Sequence, residues 1–188
     1  MENIEQIIKG CKNGKNDAQR ALYDLFQRKM YCVCLRYTSN YADAEDVAQE
    51  GFIKVFKYIN QYKNTGPIEA WIIRIMINTA LKKIKKTSPL FIVDDVCEFE
   101  NDLNYDEIIS NISAKDILML IQELSPQYKL VFNLYEMEGY SHAEIAKMLE
   151  ISENTSRSNL LRAKAILQKK IIKHFSYCKE DKIFNNVK

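Results

Sequence analysis

The chain has 188 residues, with 27 lysines and arginines against 25 aspartates and glutamates, a net charge of +2. So even a balance excludes binding nucleic acid by bulk attraction; any such binding must come from local patches. The length allows one sizeable core or two small ones, and an apolar fraction of 47% excludes a disordered chain.

Only five glycines and three prolines, with helical periods throughout, predict an all-α fold. The five cysteines (Cys11, Cys32, Cys34, Cys97, Cys178) lack C-x-x-C spacing, and the only histidines are His142 and His174. No metal site is predicted, and the thiols read as free in a reducing compartment. The start, MENIEQIIKG, carries acids where a secretion signal has bases. The most apolar run, Ala70 to Ile84, is broken by Arg74 and too short for a bilayer. A cytoplasmic location is expected.

In chain order, Ile4, Ile7, Ile8 and Cys11 mark a short amphipathic helix that the Asn13-Gly14 turn ends. A longer helix follows from about Asp17 to Tyr37, with Ala18, Ala21, Leu22, Leu25, Phe26, Val33 and Leu35 inward. Both read as packing elements. From Ala42 to Ile59 a stripe of Ala44, Val47, Ala48, Gly51, Phe52, Val55, Phe56 and Ile59 recurs at three- and four-residue steps. Asp43, Asp46, Gln49, Glu50 and Lys54 then fall outward. Phosphates repel such a face, so it suits either a basic protein partner or plain solvation.

The polar loop Asn60 to Gly66, with Tyr62 and Lys63, leads to Pro67 at the start of a helix reaching about Lys86. Trp71, Ile72, Ile75 and Thr79 share its inner side, with Trp71 expected in the core. Arg74, Asn78, Lys82, Lys83, Lys85 and Lys86 supply polar and cationic groups. A polar, aromatic-bearing loop (Asn60, Gln61, Tyr62, Lys63, Asn64) beside a basic helix suits single-stranded DNA. Residues 87–111 contain Pro89 and an acidic run, Asp94 to Glu107, and read as an acidic linker.

Ser113 caps the next helix, with Ile117, Leu120, Ile121 and Leu124 inward; Ser125-Pro126 starts another that runs to Gly139. Ser141 and Glu144 form an S-x-x-E capping box, and Ile145, Ala146 and Leu149 face inward. Ser152 caps a last helix whose inner positions are Leu160, Ala163, Leu167 and Ile171. Its other side offers Asn154, Thr155, Arg157, Ser158, Asn159, Arg162 and Lys164, and no acid occurs from Asn154 to Lys173. A helix dipole favours cations only near the C-terminus, so Arg157 near the start points to another role. Short polar groups in front and bases behind match a helix-turn-helix in the major groove. The bland alternative is an antiparallel helix pair with a solvated basic face. Beyond residue 175 the tail reads as frayed.

Three stretches carry a resemblance. DAEDVAQEGFIKVF, from Asp43 to Phe56, resembles the core-polymerase-binding segment of bacterial sigma factors. WIIRIMINTALKKIKK resembles the segment that follows it, and LSPQYKLVFNLYEMEGYSHAEIAKMLEISENTSRSNLLRAK their C-terminal promoter-binding domain. Their order, the acidic linker and the chain length resemble the extracytoplasmic-function group of the sigma-70 family, over about Asp17 to Lys173.

The resemblance implies two small helical domains, 1–86 and 112–175, joined by the linker 87–111 and followed by a tail, 176–188; the second is a four-helix domain with the helix-turn-helix. It implies that Asp46, Gln49 and Glu50, with Asp43 and Lys54 beside them, engage the coiled-coil clamp of the polymerase. The loop from Asn60 to Gly66 would hold a base flipped from the −10 element, with Arg74, Asn78, Lys82, Lys83, Lys85 and Lys86 on the DNA around it. Ser152, Asn154, Thr155, Arg157, Ser158, Asn159, Arg162 and Lys164 would meet the −35 element. Core RNA polymerase, promoter DNA and an anti-sigma factor, often membrane-bound in this group, are the implied partners. Glu150 stands where the family often has glycine, Ser156 where it has valine, Lys82 where aspartate is frequent and Asn159 where arginine is common.

No paired histidine and acid, glycine-rich phosphate loop or metal spacing appears, so no enzyme, cofactor or small-molecule substrate is expected. The alternative is a conventional helix-turn-helix regulator with a sensing or partner-binding N-terminal half, which would bind duplex DNA alone.

Overall fold

The computed structural model of the chain describes residues 4–87 and 114–185, with side chains described over 4–85 and 116–173. The expected linker beyond Thr87, the Ser113 cap and the Lys86 side chain lie outside the described residues. The chain divides into two units, Met1–Pro89 and Leu90–Lys188. Every described element is helical, and no described helix is long and apolar enough to cross a membrane.

The first unit holds α1 (Ile4–Lys12), α2 (Asn16–Tyr37), α3 (Tyr41–Tyr58), a 3₁₀ turn (Ile59–Gln61) and α4 (Ile68–Thr87). Ile7, Ile8 and Cys11 are buried on α1, and Gly14 takes the left-handed conformation that lets the chain reverse (φ +72°). Helix α2 packs on α1, α3 and α4 and buries Leu22, Met30, Val33, Cys34 and Tyr37. Leu25 departs from expectation: it is 58% exposed. It lies well around the helix from the stripe that Leu22, Met30, Val33 and Tyr37 define, so its apolar character did not decide its side. Cys32 is exposed and Cys34 buried, two residues apart on different sides; burial pushes the Cys34 thiol up to about 12.

Asn40 caps α3, its side chain accepting from Asp43 N at 2.8 Å. The predicted stripe is the buried one: Ala44, Val47, Ala48, Gly51, Phe52, Val55 and, just beyond, Ile59, while Phe56 is half-buried. Gly51 lets the Met76 thioether of α4 pack close, because a Cβ there would force that side chain to shift. On α4 the buried residues are Ile68, Ile72, Met76, Ile77, Thr79, Ala80 and Leu81. Trp71 and Ile75 are only half-buried, so the inner face is rotated from the one expected.

The second unit holds α5 (Ala114–Gln122), α6 (Pro126–Phe132), a π turn (Asn133–Met137), α7 (His142–Leu149) and α8 (Glu153–Asn185). Its core gathers Ile121, Leu124, Tyr128, Ala163 and Leu167. Ile117, expected inward, is 41% exposed, one turn before the buried Ile121. The π turn ends at Gly139 in the left-handed region (φ +74°). Helix α8 runs on to Asn185, past the point where a frayed tail was expected. No glycine or proline follows Gly139, so nothing in the backbone forces the helix to stop.

Candidate nucleic-acid and protein interfaces

The first candidate surface is the outer side of α3. Asp46, Gln49 and Glu50 are exposed, Asp43 and Lys54 half-buried. Ile53, which sequence reasoning passed over, lies among them and is 67% exposed. Its spacing of three and four residues from Glu50 and Gln49 is the signal that could have found it. The charges are paired within the molecule. Lys54 reaches Glu50 at 2.7 Å and donates to Thr79 Oγ1 at 3.1 Å. Lys83 of α4 lies 2.8 Å from Asp43 and 3.2 Å from Asp46. Its hydrogen bond, with a smaller one from Asn40, holds the Asp43 carboxyl below the usual carboxylate range against a desolvation push upward. The same bond to Asp43 raises Lys83.

The second is the 3₁₀ turn, the loop after it and α4. Asn60, Gln61, Lys63 and Asn64 are exposed, with Asn64 in the left-handed region (φ +55°). Tyr62 corrects an expectation: at 8% exposed, it offers no ring to a base. Its hydroxyl donates to Gly66 O, its ring centroid lies 5.6 Å from that of Trp71, and Lys12 donates to its carbonyl at 2.8 Å. An aromatic beside a larger half-buried one gains more by covering it than by facing water. Tyr62 shapes the loop from inside. On α4, Arg74, Asn78, Lys82 and Lys85 are exposed and follow one another at three- and four-residue steps, a single outward row. Lys83 stands outside that row, turned to the acidic side of α3.

The third is the helix-turn-helix. Ser141 Oγ accepts from Glu144 N at 3.3 Å and Glu144 accepts from Ser141 N at 2.9 Å, so the expected capping box is present. Glu150 closes α7 in the left-handed region (φ +60°, ψ +42°), a conformation that costs a side-chain-bearing residue about 1 kcal/mol or more. Glu150→Gly is therefore expected to stabilise the chain by about 0.5–1 kcal/mol, part of the relief being offset by glycine's freer unfolded state. Thermal denaturation of the two proteins checks it.

Ser152 accepts from Thr155 N at 3.0 Å and shares a hydrogen bond with its hydroxyl at 2.8 Å, so its first duty is to cap α8. Asn154, Arg157 and Lys164 are exposed; Thr155, Ser158 and Arg162 are half-buried. Arg157 lies 3.5 Å from Glu153 and Lys164 2.7 Å from Glu136. Leu161, passed over in the sequence, shares the outward face of Arg157 and Lys164 and is 54% exposed. Asn159 is the correction here: it is 3% exposed, on the inner stripe with Ser156 and Ala163, and does not face outward.

Ser156 is fully buried, and where an apolar side chain would fill space it makes a hydrogen bond, 2.9 Å from His142 Nδ1. The His142 ring stacks on Tyr135 at 4.5 Å, so one imidazole ties the π turn, α7 and α8 together. Burial first, then the Arg157 charge, lower the His142 pKa against an upward pull from Glu153. A lowered folded pKa means that the unfolded chain binds the proton first. Stability should accordingly fall as pH drops from about 6.5, the ordinary histidine value, towards the lower folded one. His142→Gln should flatten that part of a stability profile measured between pH 7.5 and 5.5, about a unit either side of the ordinary value.

These surfaces lie on segments that match known families. Residues 22–89 match the model described as sigma-70 region 2, and residues 114–167 that described as sigma-70, region 4. Together they take in well over half of the chain. The chain is 27% identical over 180 residues to the ECF RNA polymerase sigma factor SigW of Bacillus subtilis, covering 89% of this chain and 96% of that one. It is 26% identical over 180 residues to the ECF RNA polymerase sigma-E factor of Haemophilus influenzae, covering 89% and 94%. In fold it is similar to the sigma factor RpoE of Bartonella quintana, solved with the anti-sigma factor NepR: TM-score 0.52, 18% identity, 82% of this chain and 96% of that one.

Proposed function

This chain belongs to the sigma-70 family, in its extracytoplasmic-function group, and on that premise we propose that it is a detachable specificity subunit of bacterial RNA polymerase. The first unit would bind the core enzyme through the outer side of α3, with Asp46, Gln49 and Glu50 as the contacts and Ile53 as an apolar anchor among them. The exposed loop residues Asn60, Gln61, Lys63 and Asn64 and the row Arg74, Asn78, Lys82 and Lys85 would meet the −10 region. Asn154, Arg157, Leu161 and Lys164 of α8, with Thr155, Ser158 and Arg162 at their side, would meet the −35 duplex.

The carrying observation is the segregation of charge. An acidic row lies on α3, and basic rows lie on α4 and α8. Acids repel phosphate and bases attract it, so one chain offers a face for a basic protein and separate faces for DNA. Promoter opening would need no chemistry from the chain: sites that prefer an unstacked base shift the duplex towards the melted state. A cytoplasmic location, functional halves near 1–86 and 112–175, and control by an anti-sigma factor complete the reading. The last is supported by the anti-sigma factor bound to the Bartonella quintana protein.

The test is size-exclusion chromatography with purified bacterial core polymerase, followed by start-site mapping on genomic fragments. Co-elution and transcripts that begin at defined sites only when the chain is present are expected. A chain that binds duplex DNA alone and never co-elutes would be a conventional regulator.

A further inference from the structure

Lys83 joins two surfaces that the proposed function assigns to different partners. Its ammonium lies between Asp43 and Asp46, at 2.8 and 3.2 Å, while Lys82 and Lys85, one and two residues away, face out on α4. Asp43 is fixed for this contact: Asn40 caps the helix through Asp43 N and donates to the other carboxylate oxygen at 2.7 Å. Asp46 is different. Its side chain is 73% exposed, against 29% for Lys83, so a cation from outside can reach the carboxylate that Lys83 already holds. Two ammonium or guanidinium groups on one carboxylate repel each other, and the intruder gains most if Lys83 leaves. A displaced lysine beside Lys82 and Lys85 has its next-best anion in a phosphate along the same helix.

We infer that Lys83 is an intramolecular placeholder on the polymerase-binding carboxylates, and that core binding releases it to the DNA backbone. This rests on the polymerase and promoter assignments above and adds a coupling between them. Because linkage is reciprocal, DNA that captures Lys83 also strengthens the hold on polymerase. The size follows from the nature of exposed ion pairs, which confines the effect to about two- to fivefold. It makes the free chain a weaker DNA binder than the polymerase-bound one without any blocking segment.

The experiment compares the full-length chain with Lys83→Met, which keeps an aliphatic stem of similar length and removes the charge. Affinity for core polymerase is measured by fluorescence titration with and without a promoter fragment. Without DNA the variant should bind core about two- to fivefold more tightly, since the competitor is gone. With DNA the wild type should gain affinity that the variant lacks. A variant that binds core equally or more weakly without DNA overturns the placeholder. Lysine acylation followed by mass spectrometry gives a second reading: Lys83 should be slow in the free wild type, and faster on core binding or in Asp43→Asn. Equal reactivity in all three states also overturns it. Asp46→Arg, measured alongside, separates the levels: if it binds core like wild type, the polymerase assignment itself falls. If it loses core while Lys83→Met changes nothing, only the placeholder falls.

Discussion

Asp46→Arg is expected to weaken association with core RNA polymerase more than about 100-fold while leaving the fold in place. Like charges brought together across an interface cost several kcal/mol, and each factor of ten is about 1.4 kcal/mol. Asp46 projects from the second turn of α3 with 73% of its side chain exposed, so an arginine there has solvent to extend into. Lys83, which pairs with Asp46, is held by Asp43 as well, and the loss of an exposed ion pair is worth about 1 kcal/mol at most. Titration of labelled chain with core polymerase reads the affinity, and a melting curve checks the fold. Binding at wild-type strength, in a variant that melts like wild type, would remove the basis for assigning α3 to the polymerase.

What the sequence made legible was governed by local physics. The α3 stripe and the Ser141–Glu144 box are each decided within a few residues, by period or by backbone chemistry, and each stands where its residues predict. The misses were decided by a second element. Ile117 is an apolar residue at an inward position, Leu25 an apolar one well around the helix from its stripe, and only the crossing helices determine which apolar positions are covered. Tyr62 in a polar loop reads the same whether it faces solvent or Trp71, because the contact spans the loop into α4. The lysines Lys82, Lys83 and Lys85 are alike in sequence, yet only Lys83 lies across from Asp43 and Asp46. Asn159 is polar, yet its step from Ser156 and Ala163 is that of the inner stripe. Polarity is a weak guide to side where a helix tolerates a buried amide.

With Asn159 buried, the proposed DNA face of α8 narrows, and Arg157 would carry a larger share of it. Asn154, Arg157, Leu161 and Lys164 are its exposed face, and Lys164 is engaged with Glu136 at 2.7 Å. Arg157 sits one turn into the helix, and its ion pair to Glu153 is long, 3.5 Å, between half-exposed side chains. A guanidinium so loosely held is available to a base edge or a phosphate, and such contacts are worth about 1–3 kcal/mol. Arg157→Ala should then weaken holoenzyme binding to a −35-containing duplex by roughly 10- to 100-fold. Core association should not change, because Arg157 lies in the other unit from α3. A phosphate contact would also show as a shallower dependence on salt, whereas a base contact would relax preference at one position of the element. Anisotropy titrations of promoter variants at several salt concentrations distinguish the two, and loss of core binding in step with loss of DNA binding would refute the division of labour between the units.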